Sequence, residues 1–170
     1  PWRFAGAYNF WSFGNALPRH DSVVEFGGGD GYASMMFAKC FGSKPTVVDI
    51  VPEFVEHAKN VYLLPAVCAS VENLPCQDNA FQFAFCSHTL EHCQNPDRAA
   101  REMSRVVSET AYFVMPLEPP EETDKNDAHA VSCVNPFEWE TLLKENGWKP
   151  YKQWTFKGNE YHAICEALRS

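Results

Sequence analysis

The sequence predicts an α/β fold, a doubly wound and mainly parallel sheet that ends in an antiparallel hairpin. Short apolar runs rich in β-branched residues alternate along the chain with stretches of helix-forming residues. The first apolar run, at 22–26, ends in a cluster of glycines that opens a helix. Near the end of the chain, the turn pair Gly158-Asn159 separates two extended runs, which predicts the hairpin.

The predicted elements follow one another in a regular order. Before the hairpin, the apolar runs predict strands at 22–26, 45–50, 64–69, 81–87 and 109–117. Helices are expected at 31–41, from Pro52, from Pro96 with Asn95 as its cap, and at 136–145. The acidic segment 118–134 reads as a long loop, and the hairpin strands are expected at 149–157 and 161–168. Residues 22–170 should form the main domain, and the aromatic-rich residues 1–21 should form an N-terminal segment or lid.

Composition limits the functional class. With 170 residues, 45% of them hydrophobic, the chain has the length and composition of one globular domain. A net charge of -8 repels phosphate backbones, so we expect no duplex nucleic acid as partner. No apolar run is long enough to predict a membrane span. Seven cysteines without a C-x-x-C pair favour a cytoplasmic location. Because Pro1 rather than Met stands first, we expect further residues before it.

A glycine loop after the first strand predicts a nucleoside site. The sequence Glu25-Phe-Gly-Gly-Gly-Asp-Gly31 lets a ligand approach the backbone, and the helix that follows should offer free N–H groups. Asp49 ends the second strand about twenty residues later, where a carboxylate can accept hydrogen bonds from both ribose hydroxyls. The dinucleotide fingerprint G-x-G-x-x-G fails, because Tyr32 and Ser34 stand at its last position in the two possible registers. Glu25 also suits a cationic ligand better than a pyrophosphate.

In this order the motifs resemble those of the class I S-adenosylmethionine-dependent methyltransferases, especially the small-molecule group with the pattern E-x-G-x-G-x-G. Asp49 is similar to the ribose-binding acid of that family, and residues 70–75 (SVENLP) look like its adenine loop. Residues 78–83 resemble the entry to its fourth strand, and residues 87–92 (SHTLEH) resemble its segment after that strand. The resemblance covers nearly the whole chain from residue 22. It implies a Rossmann-like methyltransferase fold and S-adenosyl-L-methionine as cofactor.

The resemblance also implies roles for individual positions. The positions near the transferred methyl group would be Ser87 and His88, and His88 is the first candidate for a general base because imidazole titrates near neutral pH. Glu118 and His129 are weaker candidates. The remaining cofactor-binding positions are Glu25 for the ammonium group, directly or through water, Gly27, Gly29 and Gly31 for the methionine part, Asp49 for the ribose, Ile50 for the adenine face, and Ser70 and Val71 for the adenine edge.

Two departures from the family pattern leave an alternative open. Ser70 and Gln82 stand where the family commonly has Asp, which predicts weaker cofactor binding and allows an inactive cofactor-binding module that acts through a partner. An NAD-dependent oxidoreductase is a further alternative. His88-Thr-Leu-Glu91-His92 formally matches H-x-x-E-H, a zinc protease signature, but no third ligand is evident and we expect no metal. His92 is expected to be a buried or capping residue. The sequence therefore predicts methyl transfer to an unidentified, small-molecule acceptor, and it is silent on oligomeric state.

Overall fold

The computed structural model describes residues 21–119, 130, 133 and 135–168. Within these ranges strands and helices alternate as the sequence predicts. The strands are β1 (Val23–Phe26), β2 (Thr46–Asp49), β3 (Ala66–Cys68), β4 (Phe81–Ser87), β5 (Val107–Pro116), β6 (Trp148–Phe156) and β7 (Glu160–Ala167). The helices are α1 (Tyr32–Phe41), α2 (Pro52–Asn60), α3 (Pro96–Val106) and α4 (Pro136–Glu145), with a short 3-10 helix at Leu90–His92.

The strands form one sheet in the order β3-β2-β1-β4-β5-β7-β6. Strands β1 to β5 are parallel, while β7 runs antiparallel to both β5 and β6. The predicted doubly wound sheet with an antiparallel C-terminal hairpin is confirmed. Chain order reverses between β1 and β4, and in such sheets ligands bind beyond the carboxyl ends of the strands at this point.

Two strands, β3 and β5, begin two residues away from the predicted position for local reasons. Strand β3 spans Ala66–Cys68 and is shorter than the predicted 64–69. The residues before it belong to the turn after α2, where Leu63 has a φ of 55° and the amide of Leu64 donates to the carbonyl of Ala58. Strand β5 begins at Val107, because the chain passes from α3 into extended backbone without a connecting loop.

Helices cover both faces of the sheet. On one face, α3 and α4 enclose a large apolar cluster that includes Trp139 and Trp148, both fully buried. Their indole nitrogens donate to the carbonyls of Pro116 and Ala100 at 2.8 and 2.9 Å, so these buried polar atoms are satisfied. On the other face, α1 shares an apolar cluster with β1, β4, β5 and β7, while α2 packs on β2 and β3. Among the described helices, none has both the length and the apolar composition needed to cross a bilayer.

Candidate functional site

A cavity of about 540 Å³ opens where the carboxyl ends of β1 to β4 meet. Its volume lies within the range of small-molecule and cofactor sites. The structure brings several of the predicted site residues together in its wall, namely Gly27, Asp49, Ile50, Ser70, Val71 and His88. The other predicted positions, Glu25, Gly29, Gly31 and Ser87, lie beside the cavity without lining it.

The first glycine of the loop is fixed by its neighbour as well as by its backbone. Gly27 has a φ of 66°, and a Cβ there would lie 2.2 Å from the hydroxyl oxygen of Thr89. That hydroxyl donates to the carbonyl of Phe26 at 3.1 Å, which joins the loop after β4 to the end of β1. Only glycine lets these two loops approach so closely. Thr89 lines the cavity. It was not predicted as a site residue, because nothing in the neighbouring sequence pattern indicates that role.

Asp49 connects the glycine loop to the loop after β2. Its Oδ2 accepts a hydrogen bond from the amide of Gly29 at 2.8 Å, and its Oδ1 accepts one from the amide of Val51 at 2.9 Å. The side chain is buried but reaches the cavity wall. Each carboxylate oxygen can accept a further hydrogen bond, so the group is pre-oriented for two neighbouring hydroxyls.

Two large apolar side chains face the cavity while remaining open to solvent. Ile50 is 66% exposed and Phe54, in the first turn of α2, is 43% exposed. Apolar surface in a ligand cavity suits the flat face of a base. Beside them, the hydroxyl oxygen of Ser70 accepts a hydrogen bond from the amide of Glu72 at 3.2 Å and shapes the loop after β3. The sequence analysis did not predict Phe54 as a site residue, although an apolar residue directly after Pro52 and Glu53 could have indicated one.

The start of α1 differs from the prediction of free N–H groups. The carboxylate of Glu25 accepts hydrogen bonds from both the amide and the hydroxyl of Ser34, and Asp30 accepts one from the amide of Tyr32. These amides belong to the first turn of the helix, so the protein's own carboxylates occupy the position where a phosphate would bind. Burial raises the pKa of Glu25 to about 7, against the opposing effect of the Ser34 hydrogen bonds.

His88 stands at the carboxyl end of β4 with both ring nitrogens engaged. Its Nδ1 lies 3.3 Å from Oε1 of Glu91, and its Nε2 lies 3.0 Å from Oε1 of Glu160. Burial lowers the pKa of His88, but the contacts with Glu91 and Glu160 outweigh that effect, and the net shift is upward. A protonated His88 ring carries a hydrogen on each nitrogen, so it offers no lone pair to a ligand in the cavity.

The two departures from the family pattern have different positions. Ser70 lines the cavity, whereas Gln82 lies near the amino end of β4, at the opposite edge of the sheet. The side chain of Gln82 accepts a hydrogen bond from the amide of Asp21 at 2.9 Å and donates one to Glu109 at 3.1 Å. Gln82 therefore supports the strand and does not line the cavity, so the structure gives it no direct contact through which to weaken cofactor binding.

The remaining candidate residues have mixed outcomes. His92 is exposed and lines the cavity, so the expectation of a buried residue is wrong. The 3-10 helix turns its ring outward while the side chains of Leu90 and Glu91 point into the protein. Glu118 is not part of the cavity wall, and His129 and the N-terminal segment 1–20 lie outside the described residues. No group of three or more metal-binding side chains is arranged to hold an ion in the part of the chain that the structure describes.

A second cavity of about 560 Å³ lies at the opposite edge of the sheet, beside Arg105. The guanidinium group of Arg105 donates to Glu102, to Asp78 and to the carbonyls of Leu74 and Cys76. Because its donors fix the loop between β3 and β4, we assign Arg105 a structural role. The cavity at the glycine loop is the candidate site, since it combines the loop, a carboxylate and apolar surface.

Comparison with known proteins agrees with this geometry. The sequence model of the family described as "Methyltransferase domain" matches residues 24–115, which include the glycine loop, Asp49 and His88. The chain belongs to this methyltransferase family. S-adenosylmethionine is the cofactor that the family match indicates, and the class I resemblance is confirmed. A curated relative, the uncharacterized methyltransferase YcgJ of Bacillus subtilis, is 25% identical over 99 residues. That alignment spans 55% of this chain and 39% of the relative's length.

Solved methyltransferase structures share the fold across most of the chain. The crystal structure of YcgJ superposes with a TM-score of 0.76 at 15% identity and covers 98% of this chain and 99% of its own. Geranyl diphosphate C-methyltransferase from Streptomyces coelicolor, in complex with S-adenosyl-L-homocysteine, superposes with a TM-score of 0.79 at 11% identity. That comparison covers 95% of this chain and 76% of the other. At such identities the similarity establishes the Rossmann-like methyltransferase fold and no more.

Proposed function

We propose that the protein transfers a methyl group from S-adenosylmethionine to a small-molecule acceptor bound next to His88. The observation that supports this most is the convergence of Gly27, Asp49 and Ile50 with His88 in one cavity at the switch point of the sheet. A carboxylate suited to a ribose, apolar surface suited to a base and a close backbone approach occur there together. The identity of the acceptor is not specified by these residues.

The charges of the site fit a sulfonium cofactor better than a dinucleotide. Asp49 and Glu72 line the cavity, and no lysine or arginine does so among the residues that the structure describes. The first-turn amides of Tyr32 and Ser34, which would bind a pyrophosphate, are held by Asp30 and Glu25. S-adenosylmethionine carries an ammonium group and a sulfonium and has no phosphate. These contacts argue against the NAD-dependent alternative.

Each wall of the cavity has a defined task in this proposal. Asp49 would bind the ribose hydroxyls, and Ile50 with Phe54 would pack on the adenine, whose edge would meet Ser70 and Val71. When bound, the cofactor supplies an electrophilic methyl group, so the hard chemistry is its own. The protein must hold the acceptor in line with that group and keep water away, and such positioning is worth on the order of 7–11 kcal/mol.

Calorimetric titration of the purified chain with S-adenosylmethionine, S-adenosyl-L-homocysteine and NADH tests the proposal. We expect binding of the first two and none of NADH. Asp49→Asn should weaken binding about 10- to 100-fold, since it removes a charged acceptor worth about 1.5–3 kcal/mol. Asp78→Asn makes the same change in charge beside Arg105 at the opposite edge, and it should leave binding unchanged.

The titration also separates the alternatives. Binding of NADH in place of S-adenosylmethionine would replace the proposal with an oxidoreductase. Binding of the two expected ligands, followed by no methyl transfer to a broad acceptor panel, would favour the inactive module, for which Ser70 is the remaining support. Turnover on the panel would establish the enzyme and identify the acceptor class.

A further inference from the structure

A chain of polar contacts runs from the cavity wall into the sheet. Nε2 of His88 lies 3.0 Å from Oε1 of Glu160, at the start of β7, and Oε2 of Glu160 lies 3.3 Å from Nε2 of His162. Nδ1 of His162 is in turn 2.7 Å from the hydroxyl of Tyr112 on β5. His162 and Tyr112 are buried, and His162 stacks on Trp154. Glu160 therefore joins the cavity residue His88 to a rigid part of the sheet.

The proton positions along this chain follow from the inner end. Burial raises the pKa of Tyr112, so its phenol keeps its proton and donates to Nδ1 of His162. Burial also lowers the pKa of His162, against the opposing effect of Glu160, so this ring is neutral and carries its proton on Nε2. That N–H donates to Glu160. Glu160 accepts at both oxygens, and Nε2 of His88 is a donor as well.

Glu91 engages the other nitrogen of the same ring. Its side chain is fully buried, and the described residues offer its carboxylate oxygens no hydrogen bond besides the ion pair with Nδ1 of His88. A cation facing a buried carboxylate stabilises it, so this contact favours a protonated Nδ1. His88 also has a φ of 50°, an unfavourable backbone conformation that the two-sided contact helps to maintain.

We propose that Glu160 is a positioning residue of the methyl-transfer site: it holds His88 doubly protonated, so that the ring forms a fixed wall beside the acceptor and does not remove a proton from it. This inference rests on the proposed function. A lone pair of the acceptor forms the new bond to carbon, the electron pair of the breaking carbon–sulfur bond stays on sulfur, and a proton lost by the acceptor passes to water. His88 is thus a fixed wall of the site, in contrast to the general base expected from the sequence.

Nuclear magnetic resonance titration of the histidine rings tests this role without an acceptor. The full chain, saturated with S-adenosyl-L-homocysteine, would be compared as wild type, Glu160→Gln and Glu166→Gln. Glu166 lies on the same strand, exposed and paired with Lys149, so its variant makes the same change in charge away from His88. We expect the His88 ring to have its titration midpoint above pH 6.5 in the wild type and in Glu166→Gln. In Glu160→Gln, half-protonation of the ring should require a proton concentration at least tenfold higher.

Other outcomes would overturn the inference. A wild-type His88 that titrates at or below 6.5 would do so, as would equal shifts in Glu160→Gln and Glu166→Gln. A lower melting temperature in Glu160→Gln without a changed His88 titration would show a structural role alone. If Glu160→Gln does not fold, Glu160→Asp keeps the charge with a shorter reach and should give an intermediate shift; no shift would count against the inference. Failure of every variant to bind S-adenosyl-L-homocysteine would instead remove the proposed function, while the titration would still report on His88.

Discussion

Replacing Gly27 by alanine should destabilise the protein far more than the same change at Gly29. Both residues have positive φ, 66° and 54°, so each alanine meets a backbone cost of about 1–2 kcal/mol. At Gly27 the added Cβ would also lie 2.2 Å from Oγ1 and 2.6 Å from Cγ2 of Thr89, whereas at Gly29 nothing lies within 4 Å. Moving Thr89 breaks its hydrogen bond to Phe26, which adds about 1 kcal/mol or more.

Urea unfolding of the two variants measures this difference directly. We expect a loss of about 1–2 kcal/mol in the free energy of unfolding for Gly29→Ala, and of about 2–4 kcal/mol for Gly27→Ala. In the double variant Gly27→Ala/Thr89→Ala the contacts with Oγ1 and Cγ2 are removed, and only the Cβ at position 89 stays close, at 3.0 Å. Most of the clash is then relieved, so the two changes should be non-additive. Equal losses at Gly27 and Gly29, or additive effects with Thr89→Ala, would refute the close approach of the two loops.

Three further predictions concern charge and hydrogen bonding. The pKa of Glu25 is about 7 in the folded protein against its ordinary value of 4.5, so the folded state binds the proton more tightly. Stability therefore falls as pH rises between these values, by up to about 3 kcal/mol, and unfolding of Glu25→Gln across pH 4.5 to 8 should lack this fall. In isothermal titration calorimetry, S-adenosyl-L-homocysteine should bind the Phe54→Ala variant several-fold more weakly, because the substitution removes apolar surface from the cavity. An unchanged affinity would show that Phe54 does not pack on the adenine. Arg105→Lys should lower the free energy of unfolding by about 1–2 kcal/mol, because an ammonium group cannot reproduce the forked contacts to Glu102 and Asp78. As a control, Arg101→Lys at an exposed position on the same helix should change the free energy of unfolding by less than about 0.5 kcal/mol.

The sequence predicted those features that depend on local pattern. The alternation of apolar runs with helix formers predicted the sheet, and Asn95 caps α3 as predicted. The turn at Gly158-Asn159 forms the hairpin of β6 and β7. Of the site, the sequence identified residues at or just after strand ends, such as Asp49 and Ser70, because strand ends fix where the cavity opens.

Contacts between distant segments could not be predicted. The close approach of Thr89 to Gly27 joins loops that are far apart in the chain, and the pairing of His88 with Glu160 spans 72 residues. Glu160 begins a C-terminal strand and has no local signal of a functional role. The same limit applies to Gln82: the departure from the family pattern predicted weaker cofactor binding, but the side chain of Gln82 bonds to Asp21 and Glu109 at the other end of β4.

A crystal structure of the complex with S-adenosyl-L-homocysteine would test the central claim most directly. The account predicts ribose hydroxyls within hydrogen-bond distance of the Asp49 carboxylate, the adenine packed on Ile50 and Phe54, and the sulfur directed toward His88. Ligand bound in the other cavity beside Arg105, or a ribose that makes no contact with Asp49, would contradict it.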